Sequence, residues 1–121
     1  MKTKKKTPRA RLVKKLDKAF SLYIRARDDY TCWWCGSDNN QMHCSHIYPR
    51  RHLRTRWDED NAITLCAYCH KQWHSDPLAG SEWLKLKDPE RWGRIMHIKA
   101  LPSVKMTIAD LEDKLKEYDG V

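Results

Sequence analysis

The sequence predicts an α+β fold: a small zinc-stabilised core of hairpin and helix, preceded by an amphipathic helix and followed by a helical extension. Three observations carry that expectation. Cys32-Trp-Trp-Cys35 and Cys66-Ala-Tyr-Cys69 form two CxxC pairs. Apolar residues recur at three- and four-residue intervals between Arg9 and Arg27, the period of one helical face. Helix-start signatures stand at Asp88-Pro89 and Thr107-Ile108-Ala109-Asp110. With 121 residues the chain suffices for one core. No stretch nears the roughly 18 apolar residues a membrane helix needs, so no membrane partner is expected. The basic start is not followed by an apolar signal core, so secretion by that route is not expected; the cysteine usage fits a reducing cytoplasm, that of a bacterium or a phage-infected cell.

The elements follow in order. Residues 1–8 read as a flexible basic tail and 9–121 as a single domain, with its core at 30–76 and its helical extension at 80–119. In the first helix Leu12, Leu16, Ala19, Phe20, Tyr23 and Ile24 make the apolar face, and Asp28, Asp29 and Thr31 close it. Gly36 suits the tight turn behind Cys35. Gln41 to Tyr48 is too short for a helix and reads as one arm of a hairpin. Residues 49–60 are charged and aperiodic, which predicts a loop. A short helix is expected within the second CxxC, running to about Ser75 and stopped by Asp76-Pro77. Further on, Trp92, Ile95 and Met96 stripe one helix, and Leu111, Leu115 and Tyr118 another.

In a reducing compartment two CxxC pairs read as a metal site rather than disulfides. Cys32, Cys35, Cys66 and Cys69 are therefore expected to hold one structural Zn²⁺ in a closed tetrahedron. A thioredoxin-like redox pair would leave the other CxxC idle; Cys66, Cys69, His70 and His74 make a mixed alternative. The gap of 30 residues between the pairs is long enough for structure to be built inside the zinc loop.

Charge is segregated. The net charge is +8, and residues 1–18 hold nine basic side chains against Asp17 alone, while the remainder is neutral. A basic arm on a neutral body is the footprint of a polyanion partner, most often nucleic acid. Lys4, Lys5, Lys6, Arg9 and Arg11 of the arm, with Arg51, Arg54 and Arg56 of the second basic cluster, are the candidate phosphate contacts. Of the six tryptophans most are assigned to packing, with Trp33 or Trp34 the candidate for contact with DNA or a partner.

His46, Asn61, His70 and His74 follow at intervals of 15, 9 and 4 residues. On a helix, positions 70 and 74 share a face, so both imidazoles reach one cation. An imidazole titrating near 6.5 suits His46 as a base that is neutral near pH 7. The ordered set Cys32-x-x-Cys35-Gly36, His46-Ile47, Asn61-x-x-x-Leu65-Cys66-x-x-Cys69-His70 and His74 resembles the HNH (ββα-metal) endonuclease family over residues 32–74. Arg50 and the stretch Arg56-Trp57-Asp58-Glu59-Asp60-Asn61 look most like phage recombination nucleases of the NinG/Rap type.

The resemblance implies a metal-dependent endonuclease acting on duplex or branched DNA and leaving a 5′-phosphate and a 3′-hydroxyl. His46 would be the general base, Asn61 the residue that fixes the hairpin-to-helix loop, and Arg50 a phosphate ligand. His70 and His74 would hold a catalytic divalent cation, Mg²⁺, Mn²⁺, Ni²⁺ or Zn²⁺. Many relatives place an acid or histidine just before the base; here that residue is Ser45, a poor ligand for a hard cation. Either His70 and His74 suffice, or His43 or Cys44 assists, with Cys44 on the strand side of His46 and His43 on that of Ser45. The alternative is a zinc-dependent DNA-binding or recombination accessory module without cleavage. A weaker one is a zinc ribbon docking a partner on the helix Thr107–Tyr118. Double-strand cutting would take two copies, a homodimer, and no motif reports the oligomeric state.

Overall fold

Capping sets the first helix. Thr7 accepts the Ala10 N–H and Pro8 occupies the first turn, where its missing N–H costs nothing, so α1 runs Pro8–Arg27 in the computed structural model, which describes residues 6–119. Pro8 thus opens the helix rather than closing the tail. Asp29 and Tyr30 then take left-handed backbone conformations at φ 54° and 51°, and the Tyr30 N–H reaches back to the Arg25 carbonyl at 2.8 Å.

Strand β1, Met42–His46, pairs antiparallel with β2, Ala62–Cys66, in a register that sets Met42 opposite Cys66 and His46 opposite Ala62. Every residue of β2 is buried, because helices cover both faces of this two-stranded ribbon. Ile63 and Leu65 join Trp73 and Leu84 in one core. Ala62 joins Leu16, Phe20 and Ile24 of α1 in the other. The Thr64 hydroxyl, also facing α1, donates to the Ile24 carbonyl.

The β1–β2 connection departs from the expected loop. It contains a four-residue helix α2, Leu53–Arg56, and a single 3₁₀ turn at Glu59–Asn61. Tertiary anchors stand in for periodicity there: Trp57 is 1% exposed in the α1 core, and its indole N–H donates to Asp17 at 2.9 Å. Helix α3, Ala67–Ser75, begins inside the second CxxC as expected.

Asp76-Pro77 both ends α3 and starts α4, Pro77–Lys87, because the Asp76 carboxylate caps the Ala79 N–H; the helical extension expected from residue 80 thus begins directly behind α3. Gly80 lets α4 approach α3: a Cβ there would stand 2.5 Å from the Trp73 ring. Helix α5, Pro89–Lys99, is capped by Asp88. Helix α6, Ile108–Tyr118, carries the full capping box between Thr107 and Asp110. Leu111 and Tyr118 of α6 are buried against α1, so the helix considered as a docking surface has its apolar face already covered.

Candidate metal and nuclease site

The two CxxC turns meet at the end of β2, where the Trp33 N–H donates to the Thr64 carbonyl at 2.9 Å and Cys66 closes the strand. In the first, Gly36 adopts φ +76° and its N–H returns to the Cys32 carbonyl at 3.0 Å. In the second, Cys66 precedes α3 and its sulfur accepts the Cys69 N–H at 3.4 Å. The Sγ atoms of Cys32, Cys35, Cys66 and Cys69 all lie within 4.8 Å of one another. The Cys35–Cys66 separation of 3.8 Å matches the roughly 3.8 Å edge of a tetrahedron with metal–sulfur bonds of about 2.3 Å. This donor set and spacing fit a structural zinc; the mixed Cys–His alternative does not arise, since the four thiols converge on each other. Cys32, Cys66 and Cys69 are buried, so an ion there fills the core rather than facing substrate.

A second feature opens beside it. A cleft of about 560 Å³ is lined by Cys44, His46, Ile47, Arg50, His70 and His74, among others. His46 closes β1 and packs its ring 5.7 Å from that of Phe20. Its Nε2 lies 2.9 Å from the Arg56 carbonyl oxygen, which can only accept, so Nε2 carries the proton and Nδ1 keeps the free lone pair. Burial holds this imidazole below its ordinary range, against the pull of the Arg56 carbonyl, and the Arg50 charge adds to the depression.

Asn61 is 1% exposed and does not line the cleft. Its Oδ1 accepts the Tyr48 N–H at 2.8 Å, and its Nδ2 donates to the Tyr48 and Thr55 carbonyls at 3.0 Å each. It therefore laces the β1–β2 connection, not the hairpin-to-helix loop. Asn61→Ala should cost about 2–4 kcal/mol, because three backbone groups lose their partner in the interior; urea unfolding of the zinc-loaded protein measures it.

His70 and His74 stand one turn apart on α3, with Nε2 atoms 3.1 Å apart. That spacing fits two nitrogens at about 2.1 Å from a shared ion. His74 is exposed, which leaves the remaining positions of such an ion open. Burial, then the neighbouring His74 and His43, lower the His70 pKa to about 4, so it is a neutral donor at pH 7. Of the two possible helpers, Cys44 is a half-buried thiol pushed up to about 12 by desolvation, a protonated group at neutral pH. His43 is the residue that meets His70, Nδ1 to Nδ1, at 2.8 Å. Ser45 is 2% exposed and does not line the cleft.

The basic candidates divide. Arg50 and Arg51 are exposed, and Arg50 lines the cleft. Arg56 is committed elsewhere: it is paired with Asp17, at 3.1 and 2.6 Å, and its carbonyl holds His46. Arg54 donates to the Pro102 carbonyl and Arg9 to that of Met106, each pinning the segment between α5 and α6 while its residue remains exposed. Lys6 and Arg11 are exposed; Lys4 and Lys5 lie outside the described residues. Trp33 and Trp34 are both half-buried. Trp34 stacks on Trp83 with centroids 5.6 Å apart, and Trp33 lies under the Arg91 guanidinium at 5.0 Å. Asp17 is the residue of this site to which the sequence assigns no role; nothing in its local pattern marks it.

A helix packed on a two-stranded ribbon, with four cysteines converging beside it and histidines facing a cleft, has the architecture of a small zinc-stabilised ββα core. Residues 31–76 match the family model described as HNH endonuclease, and the four-cysteine cluster inside that segment fits a zinc-binding form of it. No curated protein and no solved structure matches the chain. No helix among the described residues is long and apolar enough to cross a membrane.

Proposed function

We propose that the chain is a metal-dependent DNA endonuclease that hydrolyses phosphodiester bonds with a water activated by His46. The observation that carries the reading is the single cleft into which His46, Arg50, His70 and His74 all open. The Nδ1 lone pair of His46 takes the proton of the attacking water. The Arg56 carbonyl holds the imidazole in the tautomer that leaves that atom free, and Asn61 keeps the connection carrying Arg56 in place. Arg50 binds the scissile phosphate as a bidentate donor. A divalent cation on His70 and His74 would supply polarisation of that phosphate and stabilisation of the departing 3′ oxygen. Arg51 and the exposed arm residues Lys6, Arg9 and Arg11 add salt-sensitive contacts to the DNA backbone. Arg50 and the stretch Arg56 to Asn61 support a place among recombination nucleases of the phage NinG/Rap type, acting on duplex or branched DNA.

Supercoiled plasmid incubated with Mg²⁺, Mn²⁺ or Ni²⁺ should be nicked, and EDTA should stop it. A second reading, an accessory module that binds DNA without cutting, is favoured by Ser45 in place of a carboxylate ligand. It is selected if gel shifts appear while no cation supports cleavage.

A further inference from the structure

Three histidines stand in a row on two elements. His74 and His70 present Nε2 atoms 3.1 Å apart, and the opposite nitrogen of His70, Nδ1, lies 2.8 Å from Nδ1 of His43 on β1. His43 is half-buried and does not line the cleft. Among the described residues the four cysteines are the one group whose donor atoms converge within 4.8 Å, so His43, His70 and His74 do not close around a common ion. His43 therefore stands behind His70.

We propose that His43 is a positioning residue for the cation site, fixing the tautomer and orientation of His70. The inference rests on the reading of His70 and His74 as the cation's ligands. If both Nε2 atoms offer lone pairs to an ion, the His70 proton must reside on Nδ1. At 2.8 Å that N–H donates to His43 Nδ1, which must then be the acceptor, with the His43 proton on Nε2. A metal-bound imidazole whose other N–H is held by an acceptor is a better oriented and more basic ligand. The residue comes from the strand rather than the helix because β1 and α3 pack face to face here, and alternation puts His43 on the face of Ile63 and Leu65, the α3 side. It thereby offsets part of what Ser45 fails to supply: the chain has no third ligand at that position, and it holds one of its two ligands more firmly instead.

The test uses zinc-loaded full-length protein titrated with NiCl₂ by calorimetry, with zinc content and thermal unfolding confirming that each variant is folded. Wild type should take up one further ion. His43→Leu, which keeps bulk without an acceptor, and His43→Ala should bind it about 10- to 100-fold more weakly, while His43→Asn, whose Oδ1 takes the place of Nδ1, should stay within about threefold of wild type. Leucine matching wild type would reduce His43 to packing, and asparagine failing as badly as leucine would make it a direct ligand; either overturns the proposal. Should the leucine variant not fold, the alanine and asparagine arms decide alone. Wild type binding no second ion would instead remove the cation reading on which the inference rests.

Discussion

Removing zinc from the four-cysteine cluster should abolish the cooperative fold of the domain. The apparent free energy of a structural zinc on thiolates is about 10–16 kcal/mol at pH 7. A whole domain of ordinary stability has about 5–15 kcal/mol to lose. Here the ligands tie the chain on either side of β1 and at both ends of the second CxxC turn, and three of the four are core residues alongside Ile63, Leu65 and Trp73. Their loss detaches α3 from the ribbon and takes His70 and His74 out of register with His46. Cys69→Ser, or a strong chelator added to wild type, should give protein without a thermal unfolding transition by circular dichroism. A chelated protein that melts like the zinc-loaded one would show that the apolar core suffices unaided.

His46→Ala should lower the rate of plasmid nicking by about 10²–10⁴, the usual worth of a positioned general base, with zinc content unchanged. The cut should lose its pH dependence as well. In wild type the direction follows from burial: the His46 pKa lies below its ordinary value, so the neutral form persists as pH falls below about 6.5. The acid limb of the rate profile should therefore lie below pH 6.5, and above it His46 should impose no loss. Cleavage by the alanine variant at the wild-type rate would end the mechanism while leaving the zinc fold intact.

The two positions differ in how far local pattern could predict them. The thiols were legible because four identical ligands at CxxC spacing admit few geometries. The α1 face, the Asp88-Pro89 start and the Thr107 capping box were legible because helix periodicity and caps are satisfied within a few residues of chain. The connection from Ile47 to Asn61 was not. Its helix α2 and its 3₁₀ turn are held by Asn61 bonds to Tyr48 and Thr55, and by Asp17 bonds to Arg56 and Trp57, across 39 and 40 positions in the last two cases. The start of helix α4 was hidden for another reason: Asp76-Pro77 stops one helix and caps the next, and the sequence pattern has no way to weigh the two roles.

Assignments of charge failed in the same manner. Arg56 counted as a free cation until α1 brought Asp17 to it, and Trp33 and Trp34 as open aromatics until Arg91 of α5 and Trp83 of α4 packed against them.

Residue types and their spacing pointed to the zinc ligands and the capped helix starts, because CxxC pairs and caps join groups a few residues apart along the chain, while the set His46, Asn61, His70 and His74 was legible through its resemblance to a known family. Packing alone decided that His46 turns its Nδ1 free by giving Nε2 to the Arg56 carbonyl, and that His43 stands behind His70. Those contacts join β1 to α2 and to α3, and a hydrogen bond between elements exists only once both have been buried against a common core.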